Sequence, residues 1–347
     1  MLKLIESDTL PDGFLELSDP TQLFRLMPQP TLLHLQGRRP DTLFVTVLLH
    51  GNEDTSFYAI QEILRRYQHK TLPRSLSIFF GNVEAARFGQ RHLNNQQDFN
   101  RVWPGTELPE CEEIQLMRQV VEKVAKRNLF ASIDVHNNTG TNPYYGCVNV
   151  LDQRFLYLAQ LFSRTVVFFE TPRGVQSMAM AEYCPSVTIE CGKTGIVVNN
   201  EKVVEFIDAV LHLDHFPEHP LLPQDINLIH TVARVTVPED KSFSFKNTDV
   251  DIQLLPELEH YNFTELPPHT LFACNQPENR LLAWDDNGVE VGQLYFEQTG
   301  QQLLLSRSVI PAMLTLDENV IRQDCLCYLM ERLPLPEPDK MDKTDGH

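Results

Sequence analysis

The chain of 347 residues carries 29 lysines and arginines against 47 aspartates and glutamates, a formal charge of −18. That balance speaks against a nucleic-acid binder, because phosphate contacts need clustered basic side chains, and against attachment to an anionic membrane surface. With 42% hydrophobic residues, the chain is long enough for one large α/β domain and a smaller second one.

The opening stretch from Met1 to Asp8 has no apolar core of the length a secretory signal needs, and no run approaches the ~18 apolar residues of a membrane span. The seven cysteines, Cys111, Cys147, Cys184, Cys191, Cys274, Cys325 and Cys327, are scattered with no Cys-x-x-Cys. They suggest reduced thiols rather than a disulfide framework or a thiolate metal site, so a cytoplasmic location is expected.

The first strong element is the apolar run Leu43 to Leu49, which reads as a buried strand and runs straight into His50-Gly51-Asn52-Glu53. Phe57, Ile60, Leu64 and Tyr67 follow at helical spacing, with Asp54 or Thr55 placed to cap the start. Leu76 to Phe80 reads as a strand. Ile114, Met117, Val121 and Val124 mark a second helix, with Glu112 and Glu113 where a helix amino terminus favours acids.

Leu129 to His136 is again an apolar strand, broken by Asn137 and Asn138, and Ser186 to Glu190 is another, ended by Cys191-Gly192-Lys193. Val204, Ile207 and Leu211 suggest a helix after it. Strands alternating with helices predict a mostly parallel mixed sheet flanked by helices on both faces, an α/β fold whose strand carboxyl ends form one functional edge. Pro217, Pro220 and Pro223 punctuate a linker. Later runs such as Thr231 to Val237 and Gln302 to Leu305 are β-prone. The expected organisation is a hydrolase domain over 1–217, a β-rich domain over 218–332 and a disordered tail over 333–347.

Two histidines and a carboxylate delivered to strand ends, His50, Glu53 and His136, form a suitable ligand set for one zinc ion per chain and leave a fourth position open. Glu190, at a third strand end, is a carboxylate near that rim without being needed as a ligand, which is what a general base requires.

Taken together, His50-Gly51-Asn52-Glu53, Asp98-Phe99-Asn100-Arg101, Asp134-Val135-His136-Asn137 and Thr188-Ile189-Glu190-Cys191-Gly192-Lys193 resemble the succinylglutamate desuccinylase and aspartoacylase family, a branch of the zinc carboxypeptidase superfamily. Gly81 to Arg87 and Arg91-His92-Leu93 extend the resemblance, although the spacing from Arg91 to Asp98 is slightly longer than the family's usual one. The resemblance implies a zinc-dependent hydrolase that cleaves the amide bond of an N-acyl amino acid, and a C-terminal β domain that narrows the mouth of the site. It assigns stabilisation of the developing oxyanion to Arg91, with Arg87 as the competitor.

Asn100 and Arg101 suit a substrate α-carboxylate, since an arginine fork binds carboxylates bidentately. Asp98 and Asp134 read as groups that orient the ligands. Arg173, in a turn-like segment, is the candidate for a second substrate anion, with Lys193 next. A metallocarboxypeptidase acting on short peptides and a non-catalytic metal- or peptide-binding module remain the alternatives, and homo-oligomerisation is left open.

Overall fold

The computed structural model describes residues 2–336. In chain order the first part comprises β1 (Ile5–Ser7), β2 (Thr31–Leu35), β3 (Gly37–Val47), α1 (Thr55–Arg66), β4 (Leu72–Phe80), α2 (Val83–Arg87) and α3 (Glu112–Ala125). After these come β5 (Leu129–His136), β6 (Tyr145–Val148), α4 (Gln153–Phe162), β7 (Thr165–Phe168), α5 (Gln176–Ala181), β8 (Ser186–Glu190) and α6 (Val197–His212). The remainder is β-rich: β9 (Asn227–Thr236), β10 (Phe243–Ser244), β11 (Ile252–Leu254), β12 (Leu271–Asn275), β13 (Leu282–Trp284), α7 (Gly292–Tyr295) and β14 (Phe296–Thr299). The last elements are β15 (Gln302–Leu305), β16 (Ile310–Ala312), α8 (Glu318–Gln323) and β17 (Cys327–Arg332).

A mixed sheet runs in the order β1-β2-β4-β3-β5-β8-β6-β7-β9-β17-β16, with β13 also paired to β9. Its centre, β4-β3-β5-β8, is parallel throughout. Both faces are covered, as the alternation along β3 demonstrates: Leu43, Val45 and Val47 join a core shared with α1, α4 and α6, whereas Phe44 joins the core under α3 and α5. The expected α/β class with a β-rich C-terminal region is therefore the observed one.

The segment after Pro217 leads into β9, which pairs in parallel with β7 and antiparallel with β17. Among the described residues, four C-terminal strands thus extend the large sheet, and β10, β11, β12, β15 and β14 form a separate sheet, over a core of their own that includes Ile252, Phe272 and Leu305. Backbone hydrogen bonds consequently run without a break from the 1–217 region into 218–332. Of the expected tail, residues 333–336 are described: Leu333 N donates to Leu228 O, and Leu335 packs against the main core. The rest of the tail lies outside the described residues.

Two local features aim the site. The apolar run expected to continue to Leu49 leaves the sheet at Val47, because Leu48 adopts a left-handed conformation (φ 56°) that swings His50 over the strand ends. Gly51 then passes so close to α2 that a Cβ would lie 2.2 Å from Ala86 N, so only glycine fits this turn. Asp54 stands at the helix N-cap position without capping α1; its carboxylate accepts from Gly195 N, and Thr55 N donates to Asn137 Oδ1 instead.

Candidate functional site

β3, β5 and β8 lie side by side, and their carboxyl ends carry His50, His136 and Glu190, the last two directly opposite each other in register. His50, Glu53 and His136 are all buried. Glu53 bridges the two rings: Oε1 lies 2.7 Å from His50 Nδ1 and Oε2 lies 2.7 Å from His136 Nδ1. The two Nδ1 atoms are 3.1 Å apart.

Each ring is held from behind by an aspartate. Asp98 Oδ1 is 2.9 Å from His50 Nε2, and Asp134 Oδ2 is 2.8 Å from His136 Nε2. Asp134, fully buried, is itself fixed by the Thr46 hydroxyl across the β3–β5 pair. Carboxylates at both Nε2 atoms place the ring protons there, so two Nδ1 lone pairs and a carboxylate converge on one small volume. Such a convergence of acceptors is repulsive by itself and suits a cation. In a tetrahedral site with Zn–N bonds of about 2.05 Å the ligand atoms sit about 3.3 Å apart; the two Nδ1 atoms, at 3.1 Å, are close to that spacing, and the Glu53 oxygens, at 2.7 Å from each ring, would have to draw back slightly. The donor set therefore fits zinc.

The surrounding charges agree in direction. Burial alone would raise Glu53 and Asp98, but the two imidazoles acting on Glu53, and His50 with Arg91 acting on Asp98, hold both carboxyls below their usual range. His136 is driven the other way: burial opposes its charge, yet Asp134 and Glu53 push it well above an ordinary histidine. The field that attracts a proton to this ring also attracts a metal cation. A second group of three possible ligands, Glu170, His230 and Asp286, is more open to solvent, and one of its carboxylates accepts from the Thr171 hydroxyl at 2.6 Å.

The segment from Asp98 to Trp103 has no regular secondary structure but is pinned by its own pattern. Phe99, Val102 and Trp103 are buried in the core under α3, and Trp103 Nε1 donates to Phe99 O, which leaves Asp98, Asn100 and Arg101 on the opposite side. Asp98 accepts from Arg91 Nε and Nη2 at 3.1 and 2.9 Å, and Arg91 Nη1 lies 3.7 Å from Glu53 Oε1. Asn100 Oδ1 accepts from Gln176 N at 3.1 Å, with its Nδ2 3.1 Å from His136 Nε2. Arg101 donates to Asn100 O and lies 3.6 Å from Asp324, on the β-rich side.

Glu190 is buried and accepts from Asn138 Nδ2 at 2.7 Å. Burial, with Glu53 and Asp134 adding to it against the two histidines, pushes its carboxyl up to about 7. His50, Glu53, His136, Glu190, Arg91, Asn100 and Arg101 open into one cavity of about 110 Å³. Its far wall comes from Val167, Phe169, Met313 and Met330.

His50, Glu53, His136, Glu190, Arg91, Asn100 and Arg101 thus meet in one place, and Arg173 does not join them. Gly174 is in a left-handed conformation and packs so closely on Arg101 O that a Cβ would lie 2.4 Å away; the neighbouring Arg173 points outward, 61% exposed, to Glu107. Lys193 pairs with Glu259, and Arg87 stacks on Phe24, both away from the cavity lining. Asn138, Tyr145, Asp324 and Tyr328 border the site without having been singled out. Asn138 had a signal, a polar pair directly after His136; the others had none, since ordinary strand or loop sequence carries them.

Residues 41–216 match the family model described as the succinylglutamate desuccinylase/aspartoacylase catalytic domain, a span that contains every one of the converging residues. The chain belongs to that family. Solved structures of similar fold include a succinylglutamate desuccinylase from Chromobacterium violaceum, with 17% identity, a TM-score of 0.59 and 87% of both chains covered. Another, from Vibrio parahaemolyticus, shares 12% identity at a TM-score of 0.59 over 87% of this chain and 86% of that one. Murine aminoacylase 3 shares 14% identity at a TM-score of 0.56 over 85% of this chain and 96% of its own. Comparison with curated proteins gives no match. Among the described residues, no helix is long and apolar enough to cross a membrane.

Proposed function

We propose that the protein hydrolyses the amide bond of an N-acyl amino acid with the help of one zinc ion held by His50, Glu53 and His136. The observation that carries this reading is the convergence of that donor set with a separate buried carboxylate, Glu190, in one small cavity. Zinc in such a site lowers the pKa of water to about 7 and polarises a carbonyl.

Glu190 takes the proton from the attacking water and returns it to the leaving nitrogen, so water and amide become a carboxylate and an amine with no other reactant. A carboxyl held near neutrality is suited to both halves of that task. Arg91, fixed by Asp98 and kept charged by it, presents donors to the oxygen that becomes negative. Arg101 takes the substrate α-carboxylate, with the Asn100 amide beside it. Asp98 and Asp134 keep the rings in the tautomer that directs Nδ1 inward.

A cavity walled by the C-terminal strands favours a small molecule over a peptide laid along an open groove. The family's named members, the desuccinylases, agree with that choice. The test is hydrolysis by the zinc-loaded protein of a panel of N-acyl amino acids beside short peptides. Release of free amino acid from the former alone is the expected result, and turnover of peptides alone would replace this reading with a carboxypeptidase.

A further inference from the structure

Building on the proposed amide hydrolysis, we infer that the substrate carries a single carboxylate and that the rest of it, acyl group and side chain alike, is uncharged and largely apolar. Among the described residues, and apart from the two imidazoles, the cavity lining holds two basic side chains, Arg91 and Arg101. Both are already paired with acids, Arg91 with Asp98 and Arg101 with Asp324. One serves the reacting oxygen and the other the α-carboxylate, which among the described residues leaves no lining cation for a further anion.

The rest of the lining is mostly apolar, with Cys147, Val167, Phe169, Val175, Met313 and Met330, and its polar groups include uncharged hydroxyls such as those of Thr188, Thr231 and Tyr328. The cations that a dicarboxylic substrate would recruit point elsewhere: Arg173 to Glu107 at the surface, Lys193 to Glu259. The one further acid in the lining, Asp324, repels a second carboxylate. A carboxylate buried in that part of the cavity would lose its water and meet hydroxyls such as those of Thr188 and Tyr328 but no cation, whereas an aliphatic or thioether side chain gains contact with the apolar atoms it buries. Substrates with two or three carboxylates, the succinylated acidic amino acids among them, are disfavoured by the same chemistry that admits leucine or methionine.

The experiment compares kcat/KM of the zinc-loaded full chain on two matched series. N-acetyl-L-leucine and N-acetyl-L-methionine are set against N-acetyl-L-aspartate to vary the side chain, and N-acetyl-L-leucine against N-succinyl-L-leucine to vary the acyl group. The expected preference for the monocarboxylates is about 10²-fold or more in each series. Met313→Arg, at a half-buried position of the same wall, should move the leucine-to-aspartate ratio at least about tenfold toward aspartate. Equal or better turnover of N-acetyl-L-aspartate or N-succinyl-L-leucine by the wild type overturns the inference and leaves the amide-hydrolase reading standing. If no N-acyl amino acid is hydrolysed at all, that reading falls and the inference falls with it. Should Met313→Arg fail to fold, the wild-type ratios decide alone.

Discussion

Replacing Glu190 with glutamine keeps the size and shape of a buried side chain and removes its capacity to accept a proton. In the folded protein this carboxyl is flanked in register by His136 and Tyr145, accepts from Asn138, and is pushed up to about 7, chiefly by burial. The protonated form cannot accept a proton from water, so kcat/KM of the wild type should fall as pH decreases through the carboxyl's pKa. A bound dication lowers that pKa further, which places the acid limb at or below 7. Glu190→Gln should retain zinc and KM, lose about 10²–10⁴ in kcat, equivalent to about 3–5 kcal/mol, and lose the acid limb. Stability gives an independent check on the metal-free protein. The unfolded chain ionises Glu190 at its ordinary 4.5 and the folded chain only near 7, so the folded state retains the proton between those values and stability drops as pH rises through them. Above that window the loss is about 3 kcal/mol, and glutamine, which does not titrate, should recover up to that amount at high pH and nothing below about pH 4. Chemical denaturation at the two pH values measures it. Wild-type turnover by the variant, or a slow variant that keeps the acid limb, would refute the role given to Glu190.

The metal assignment predicts that His50→Ala and His136→Ala purify with little zinc where the wild type holds about one ion per chain; wild-type metal content in both, read by elemental analysis, would exclude these ligands. Arg101→Ala should raise KM far more than it lowers kcat, with a loss of about 2–5 kcal/mol in kcat/KM, and an α-amidated substrate should already be poor for the wild type. Arg91→Ala should instead lower kcat, because oxyanion charge exists only near the transition state; equal effects on both constants in both variants would remove the distinction. Arg173→Ala, at a mostly exposed position paired to the exposed Glu107, should change kcat/KM by less than about twofold and stability by less than about 0.5 kcal/mol. A larger KM effect there would mean that the 171–175 segment rearranges around substrate.

Much of the architecture is legible because period and punctuation agree. The alternation in β3 divides between two cores, and each strand that carries a site residue ends where apolar sequence meets histidine, glutamate or a glycine turn. The pairing of β9 with β7 is not legible in this way. Prolines 217, 220 and 223 look like a boundary from the sequence, but a few turns of irregular chain are enough to bring Asn227 back alongside Thr165. Nothing local records which edge strand a distant segment will join, since any β-prone run offers the same row of backbone donors and acceptors. The left-handed Leu48 is equally silent, because leucine has no preference for that conformation and tertiary contacts alone impose it.

Within the site the same division separates chemistry from selection. Every group given a task in bond cleavage lies between His50 and Glu190, held by adjacent parallel strands or by a loop anchored through Phe99 and Trp103, and such residue types stand out in a sequence because their placement beside apolar strands is unusual. The wall that faces them includes Met313 and Met330, and the acid beside Arg101 is Asp324, all from the β-rich region. Methionines in a β-prone stretch are indistinguishable from ordinary core until the sheet carries them round to the strand ends. Arg173 stands apart for the reciprocal reason: a basic residue in a turn near the site is conspicuous in sequence, while in the fold Gly174 packs tightly on Arg101 O and Arg173 reaches outward to Glu107. Because β9 and β17 extend the same sheet that ends in His136 and Glu190, the apolar wall is tied to the strand-end groups by continuous backbone hydrogen bonds. Exchange of side chains on that wall should therefore alter which substrate enters while the positions of His50, Glu53, His136 and Glu190 stay fixed.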